Sequence, residues 1–255
     1  VIWFVGAGPG DPELITVKGR RLLQEADVIV YAGSLVPREV LTGTAPGVEV
    51  RDSAGMDLDE ITSLMICAHE AGRKVVRLHT GDPSLFGAIG EQMARLDKAG
   101  VPYEIVPGVS SFAAAAAVVG SELTLPGVSQ TVIITRTAGR TSVPEKEALS
   151  DLAAHRATMA IFLSAGHMGA TVESLRAHYP ENTPVAVAYK ATRPEQRVVR
   201  GTLCDIAALV AEAGIERTAL ILVGEVLANR GEPSKLYDRD FSHGYRTASP
   251  PGGTA

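Results

Sequence analysis

The chain has 255 residues, 45% of them apolar, and a formal net charge of −5. That is enough apolar material to bury a core, with room for one large domain or two ordinary ones, and the acidic balance argues against a nucleic-acid binder, which is usually basic. The two cysteines, Cys67 and Cys204, lie far apart and do not suggest a disulfide framework, and with no secretory pattern and no apolar run of roughly 20 residues the expectation is a cytoplasmic protein without membrane contact.

In chain order, residues 1–120 alternate strand and helix signals. Residues 2–6 read as a strand and 16–26 as a helix with Thr16 at its N-cap. A strand at 27–31 and a short one at 48–51 follow. Residues 58–71 place Leu58, Ile61, Met65 and Ala68 at helical spacing, with Gly72 as the stop. Next come a strand at 74–78 and a helix at 88–99 stopped by Gly100. A strand at 103–106 is closed by Pro107 and Gly108, and a helix at 110–119 has Ser110 or Ser111 as its cap. This rhythm predicts a mainly parallel sheet with helices on its faces.

Residues 121–130 (SELTLPGVSQ) break the pattern and read as a linker. Beyond them lie a strand at 131–135, a helix at 145–154, a strand at 159–163, a helix at 171–178 and a strand at 184–189. A strand at 197–203 follows so closely that an antiparallel neighbour is expected, and a helix at 205–213 and a strand at 219–226 complete the series. The predicted fold is α/β in two lobes. Residues 1–120 form an N-terminal lobe with a mainly parallel sheet, 121–235 a C-terminal lobe with a mixed sheet, and 236–255 a tail whose SPPGGTA end is expected to be disordered.

Two Gly-Asp-Pro loops carry the functional signal: GAGPGDP at 6–12 and GDPSLFG at 81–87, each after a strand and before a helix. Glycine turns at the carboxyl edge of a sheet let a ligand approach the backbone closely, and the pair points to one small-molecule site. The first loop begins like the dinucleotide fingerprint G-x-G-x-x-G. Asp11, however, stands where the third glycine belongs, and Pro9 removes a backbone donor. The strand at 27–31 runs into Ala32 and Gly33 without the acidic residue that a nicotinamide site uses. An Asp beside the loop repels phosphate and no G-x-x-x-x-G-K-[ST] occurs, so a phosphate-free or cationic ligand is expected. The histidines and cysteines show no metal-ligand spacing, and no protein-held metal is expected.

These loops, together with VVRLHTGDPSLFGA at 75–88, PGVSSFAAAAA at 107–117 and TALILVGEV at 218–226, are those of a known family. Over about residues 1–235 the chain resembles the S-adenosylmethionine-dependent tetrapyrrole methyltransferases, which share a two-lobed α/β fold. Within the family it looks most like the branch that methylates C-11 of the corrin precursor precorrin-4 in cobalamin biosynthesis. That likeness rests on YAGSLVP at 31–37, MDLDEI at 56–61, EQMARL at 91–96, ELTLPGVSQTVIITR at 122–136, GRT at 139–141 and IFLSAGHM at 161–168.

The resemblance implies a C-methyltransferase that takes S-adenosylmethionine, releases S-adenosylhomocysteine, acts on a tetrapyrrole and works as a homodimer. It also implies the cofactor contacts. Pro9 lies against the cofactor, Gly81, Asp82 and Pro83 form a second contact loop, and Leu85 packs nearby, with Asp82 accepting from a polar end of the cofactor. Ser110 and Ser111 add hydroxyl and N–H contacts, and Leu163, Ala188 and Ala219 line the adenosyl part from the second lobe. Plainer readings stand beside these: N-caps for the serines, core for Leu163 and Ala219, a turn for Asp82, and a helix-terminal charge for Asp11. Arg38, Arg136, Arg140 and Arg193 are candidates for the substrate's carboxylates. Tyr31, Ser34, Glu122, His167 and Tyr189 are candidates for a proton or a substrate hydrogen bond, His167 fitting a surface or capping role as well, and no catalytic acid or base is assigned.

Overall fold

The computed structural model describes residues 1–139, 141–228 and 231–248, in two compact units. The first unit comprises Val1–Val118 with Ala188–Arg197, and the second Val119–Val187 with the chain from Val198 on. The expected disordered end at 249–255 lies outside the described residues, as does Arg140.

The first unit contains β1 (Ile2–Gly6), α1 (Val17–Glu25), β2 (Val28–Tyr31), β3 (Glu49–Asp52), α2 (Leu58–Glu70), β4 (Val75–His79), α3 (Ile89–Lys98), β5 (Tyr103–Val106) and all but the last residue of α4 (Ser111–Val119). Its five strands pair in parallel in the order β3-β2-β4-β1-β5. A parallel sheet is covered on both faces, which is why the central strands read as nearly unbroken apolar runs. Ile2, Phe4, Val28, Val30 and Val75 pack against Ile61 and Met65 of α2 and Ile89 and Leu96 of α3. Val5, Ile29, Tyr31, Val76 and Leu78 pack against Leu22 and Leu23 of α1. Helices α1 and α3 therefore leave the neighbouring strands β1 and β4 toward opposite faces. That divergence opens a crevice at the carboxyl ends of the two strands, where both Gly-Asp-Pro loops lie.

Local chemistry sets the helix starts. The Thr16 hydroxyl accepts the Gly19 N–H at 3.0 Å ahead of α1. Asp57 and Glu60 form a reciprocal capping box before α2, with both bonds at 2.8 Å. Such a cap is worth about 1 kcal/mol.

The second sheet has the order β6-β7-β10-β8-β9. Its elements are β6 (Val132–Arg136), α5 (Leu149–Ala153), β7 (Thr158–Phe162), α6 (Met168–Arg176), β8 (Pro184–Tyr189), β9 (Arg197–Thr202), α7 (Ile206–Glu212) and β10 (Ala219–Val223). It is mixed: β6 pairs with β7 in parallel and β7 with β10 antiparallel.

Several boundaries in this half differ from the sequence reading, and four of them carry a local lesson. The helix expected at 145–154 is a 3₁₀ turn at Glu145–Glu147 and then α5, because Ala148 is extended (φ −57°, ψ 137°). The break leaves the charged residues Glu145, Lys146 and Glu147 in solvent and turns Leu149 into the core. Strand β7 stops at Phe162, since Leu163 takes a left-handed φ of 55°. Helix α6 starts three residues earlier than expected, at Met168, after a 3₁₀ turn at Ala165–His167. Strand β10 stops at Val223, where Gly224 takes φ 139°. The 121–130 linker folds on itself, with a bridge from Leu125 to Ser129 around Gly127.

Candidate active site

The two Gly-Asp-Pro loops are bonded to each other. Gly81 N–H donates to the Gly8 carbonyl at 2.8 Å, and Gly8 N–H returns a bond to the Gly81 carbonyl at 3.3 Å. The loop after β5 packs in behind them. A Cβ on Gly108 would stand 2.1 Å from the Gly81 carbonyl oxygen, and one on Gly6 would stand 2.5 Å from Gly108 Cα. Gly81 itself has φ 61°, and its open Cβ position faces Ser110 Cα and Ser111 N, each at 3.8 Å. The fold thus brings Gly81 together with Ser110 and Ser111. Ser110 directly precedes α4 and its carbonyl accepts from Ala114 N–H, so the position is that of a helix cap. Pro9 and Pro83 are buried, and Leu85 is half-buried.

Asp82 joins the second loop to the third. Its Oδ1 accepts the Ser84 N–H at 2.8 Å and the Ser84 hydroxyl, and its Oδ2 accepts the Gly108 N–H at 2.9 Å. Burial opposes the charge, but the Ser84 hydroxyl and the N–H groups of Gly108 and Ser84 outweigh it and hold the carboxyl below its ordinary 3.8. Both oxygens therefore have donors within the loops, and the carboxylate acts first on loop shape. Gly87 closes the turn, where a Cβ would lie 2.2 Å from the Pro83 carbonyl oxygen.

This bonding also explains why the glycines do not form a phosphate nest. The amides of Gly8, Gly81 and Gly108 are engaged with the Gly81 carbonyl, the Gly8 carbonyl and Asp82, respectively. What remains at these three residues is bare Cα surface, which suits a phosphate-free ligand. Asp11 caps the 3₁₀ turn Pro12–Leu14, accepting the Glu13 N–H at 2.8 Å, as its plainer reading has it.

The segment Ala188–Arg197 clasps the first loop. Thr192 Oγ1 accepts the Asp11 N–H at 3.1 Å. Arg193 lies over Gly10, where a Cβ would come 2.5 Å from its Cγ, and its guanidinium donates to the Leu35 carbonyl. Lys190 and Thr192 hold positive φ of 44° and 69°, a strain of about 1–3 kcal/mol each that the surrounding contacts maintain. The sequence placed Ala188 in the second lobe; here it is buried and belongs to the first unit. Nothing in the sequence pattern marked the clasp, because Asp11 and Thr192 are 181 residues apart.

In the second unit, Leu163 is 70% exposed, which removes the core reading. Strand β10 runs opposite β7 with Ile221 facing Ile161, so extending that register by two residues brings half-buried Ala219 level with Leu163. Ser164, which the sequence reading did not single out, is fully buried. Its Oγ donates to the Phe162 carbonyl at 2.7 Å and accepts the Thr137 N–H at 3.0 Å. His167 is exposed at the N-cap position of α6, and its carbonyl accepts from Thr171 Oγ1. Among the described residues no group of three or more His, Cys, Asp or Glu could hold a metal ion.

Residues 1–207 match the family of Tetrapyrrole (Corrin/Porphyrin) Methylases. The chain belongs to this family. The Precorrin-4 C(11)-methyltransferase of Pseudomonas aeruginosa is 55% identical over 246 residues, 96% of this chain and 98% of that one. Among solved structures, the X-ray structure of a cobalamin biosynthetic enzyme, cobalt precorrin-4 methyltransferase CbiF, is similar with a TM-score of 0.86 and 49% identity, covering 89% of this chain and 95% of that one. The uroporphyrin-III C-methyl transferase of Thermus thermophilus, complexed with S-adenosyl homocysteine, is similar with a TM-score of 0.74 and 34% identity, covering 89% of this chain and 98% of that one.

The fold of this methylase separates the arginines that sequence could not. Arg136 donates to the carbonyls of Thr137, Thr141 and Ser142 at 3.2, 3.1 and 2.7 Å, so it shapes its own loop. Arg193 belongs to the clasp. Arg38 is exposed and has no hydrogen bond or ion pair among the described residues. Tyr189 is flanked by Lys190 Nζ at 5.4 Å and the Arg197 guanidinium at 4.9 Å. Ser34 and Glu122 are exposed.

Proposed function

We propose that this methylase transfers a methyl group from S-adenosylmethionine to C-11 of precorrin-4, giving precorrin-5 in cobalamin biosynthesis. The observation that carries the reading is the 55% identity, over nearly the full length of both chains, to a relative of that name. The interlocked glycine loops support the cofactor class, since they present bare backbone where a phosphate nest would present N–H groups. A second reading, cobalt-precorrin-4 as the substrate, has support in the likeness to CbiF, and methylation of another corrin position is the wider alternative.

S-adenosylmethionine supplies the methyl group and leaves as S-adenosylhomocysteine. The chain's own work is alignment, and orientation of donor and acceptor is worth roughly 7–11 kcal/mol. Pro9, Gly81, Pro83 and Leu85 form the contact surface, and Asp82 fixes it by holding Gly108 and Ser84. Ser110 and Ser111 add their hydroxyl and N–H groups at the start of α4, with Ala188, Leu163 and Ala219 as the apolar contacts of the adenosyl part. The conjugated acceptor ring pushes its own electrons to the methyl group, so no strong base is required. A homodimer is part of the reading on the family likeness, and a cytoplasmic location on the sparse cysteines. Incubation with S-adenosylmethionine and either the metal-free or the cobalt-bound precursor, read by mass spectrometry, tests the reading. A macrocycle heavier by one methylene is expected, and unchanged mass for both precursors overturns it.

A further inference from the structure

A second cavity in the first unit opens at the carboxyl ends of β2 and β3. It measures about 490 Å³ and is lined by Tyr31, Arg38, Leu41, Thr42, Val50 and Asp52. Tyr31 is 96% buried by its 4% exposure, yet its hydroxyl has no hydrogen-bond partner among the described residues. That oxygen is also absent from the sealed, unpartnered polar atoms. It is the open end of an otherwise enclosed side chain that lines the cavity. Arg38 brings an unpaired guanidinium to the same wall.

The acidic residue of the cavity has one oxygen held by the backbone beside it. Asp52 Oδ1 accepts the N–H groups of Gly33 at 3.0 Å and Ala54 at 2.9 Å. Gly33 packs so tightly on this carboxylate that a Cβ would stand 2.1 Å from its Oδ2. Arg20 lies behind the opposite wall, donating to the carbonyls of Val40 and Thr42 at 3.0 and 2.9 Å and to that of Pro12 at 3.1 Å. The wall is thereby tied to the first Gly-Asp-Pro loop, and a second positive charge stands near it.

We infer that this cavity is a subsite for a carboxylate arm of the macrocycle, which pairs with the Arg38 guanidinium and accepts from the Tyr31 hydroxyl. The inference rests on the tetrapyrrole reading above and adds the residues that recognise the acid. An exposed arginine binds a carboxylate weakly unless a second donor fixes the geometry. The buried Tyr31 supplies that donor from a fixed position, while Leu41 and Val50 supply the apolar wall for the ring that bears the arm. The position suits it. Tyr31 is in register with Leu78 of the adjacent strand β4, three residues before Gly81. At strand spacings the cavity therefore lies roughly 10 Å from the glycine loops.

Uroporphyrin, a polycarboxylated porphyrin, is the probe. Its fluorescence quenching is titrated against wild type, Arg38→Gln, Arg38→Lys and Tyr31→Phe, with S-adenosylhomocysteine affinity measured by calorimetry on the same preparations. Arg38→Gln is expected to weaken porphyrin binding about tenfold and Tyr31→Phe about threefold. Arg38→Lys is expected to recover part of the loss, with the S-adenosylhomocysteine affinity unchanged. The inference is overturned by no binding to wild type, by variants that bind like wild type, or by equal losses for both ligands. A wild type that methylates no precursor but binds porphyrin through Arg38 breaks the functional reading and leaves the subsite standing. A wild type that methylates precorrin-4 with the same KM as Arg38→Gln does the reverse.

Discussion

Gly108 has no room for a side chain: its Cβ would meet the Gly81 carbonyl oxygen at 2.1 Å, a backbone atom that cannot swing away. Gly108→Ala should therefore separate the loops and destabilise the protein by about 1–3 kcal/mol, the usual cost of overpacking; chemical denaturation measures it, and an unchanged midpoint contradicts it. Asp82→Ala removes the acceptor of Gly108 and Ser84 at an accessible loop. The fold should persist while S-adenosylhomocysteine affinity falls about tenfold by calorimetry, and an unchanged affinity refutes the role. Because the carboxyl sits below its ordinary 3.8, its contribution is present above that pH and is lost as the pH falls through the lower folded value. At this scale the sequence made residue types legible but not their partners. GDPSLFG announced a constrained loop, yet that Asp82 binds Gly108 follows only from strands β4 and β5 both flanking β1. Likewise Arg136 and Arg193 found carbonyl partners, and Arg193's is 158 residues away.

Strand β4 carries two buried polar side chains on the face covered by α2 and α3. Arg77 donates from Nη1 to Ser53 Oγ at 2.8 Å and from Nε to Gln92 Oε1 at 3.1 Å, and burial lowers its pKa to about 10. His79, two residues on, stacks near Phe4 at 5.9 Å, and its Nε2 is sealed without a partner. Burial, aided by the Arg77 charge, lowers its pKa from 6.5 to about 3. The folded protein thus keeps His79 neutral where the unfolded chain takes up a proton. Its contribution is full above pH 6.5 and is lost as the pH falls from there toward about 3, at up to about 1.4 kcal/mol per pH unit. His79→Phe removes that slope, so the stability of wild type relative to the variant should fall by about 2 kcal/mol between about pH 7 and pH 5. Parallel pH profiles in urea denaturation contradict this. Elements were most legible where burial on both faces wrote them as apolar runs, as in β1, β2 and β8. They were least legible where one backbone angle decided the boundary, as at Leu163 and Ala148.

The whole molecule is a pair of α/β units, one sheet parallel throughout and the other mixed. Family membership was legible because its motifs are spread along the chain in a fixed order, each tied to a strand end. The substrate position was not, because ring-carbon choice depends on how the macrocycle is seated, and no short pattern encodes that. With a net charge of −5 the chain offers an acidic substrate no favourable overall field, so the proposed subsite gives that part to a local cation, Arg38. Light scattering on a sizing column tests the assembly, with twice the 26.7 kDa chain mass expected for the homodimer and the single-chain mass contradicting it. The most direct test of the central claim is transfer from S-adenosylmethionine carrying a carbon-13 methyl group, with the product read by NMR. The label should appear as one methyl carbon attached to C-11 of the macrocycle. A label at another ring carbon, or none in any macrocycle, contradicts the account.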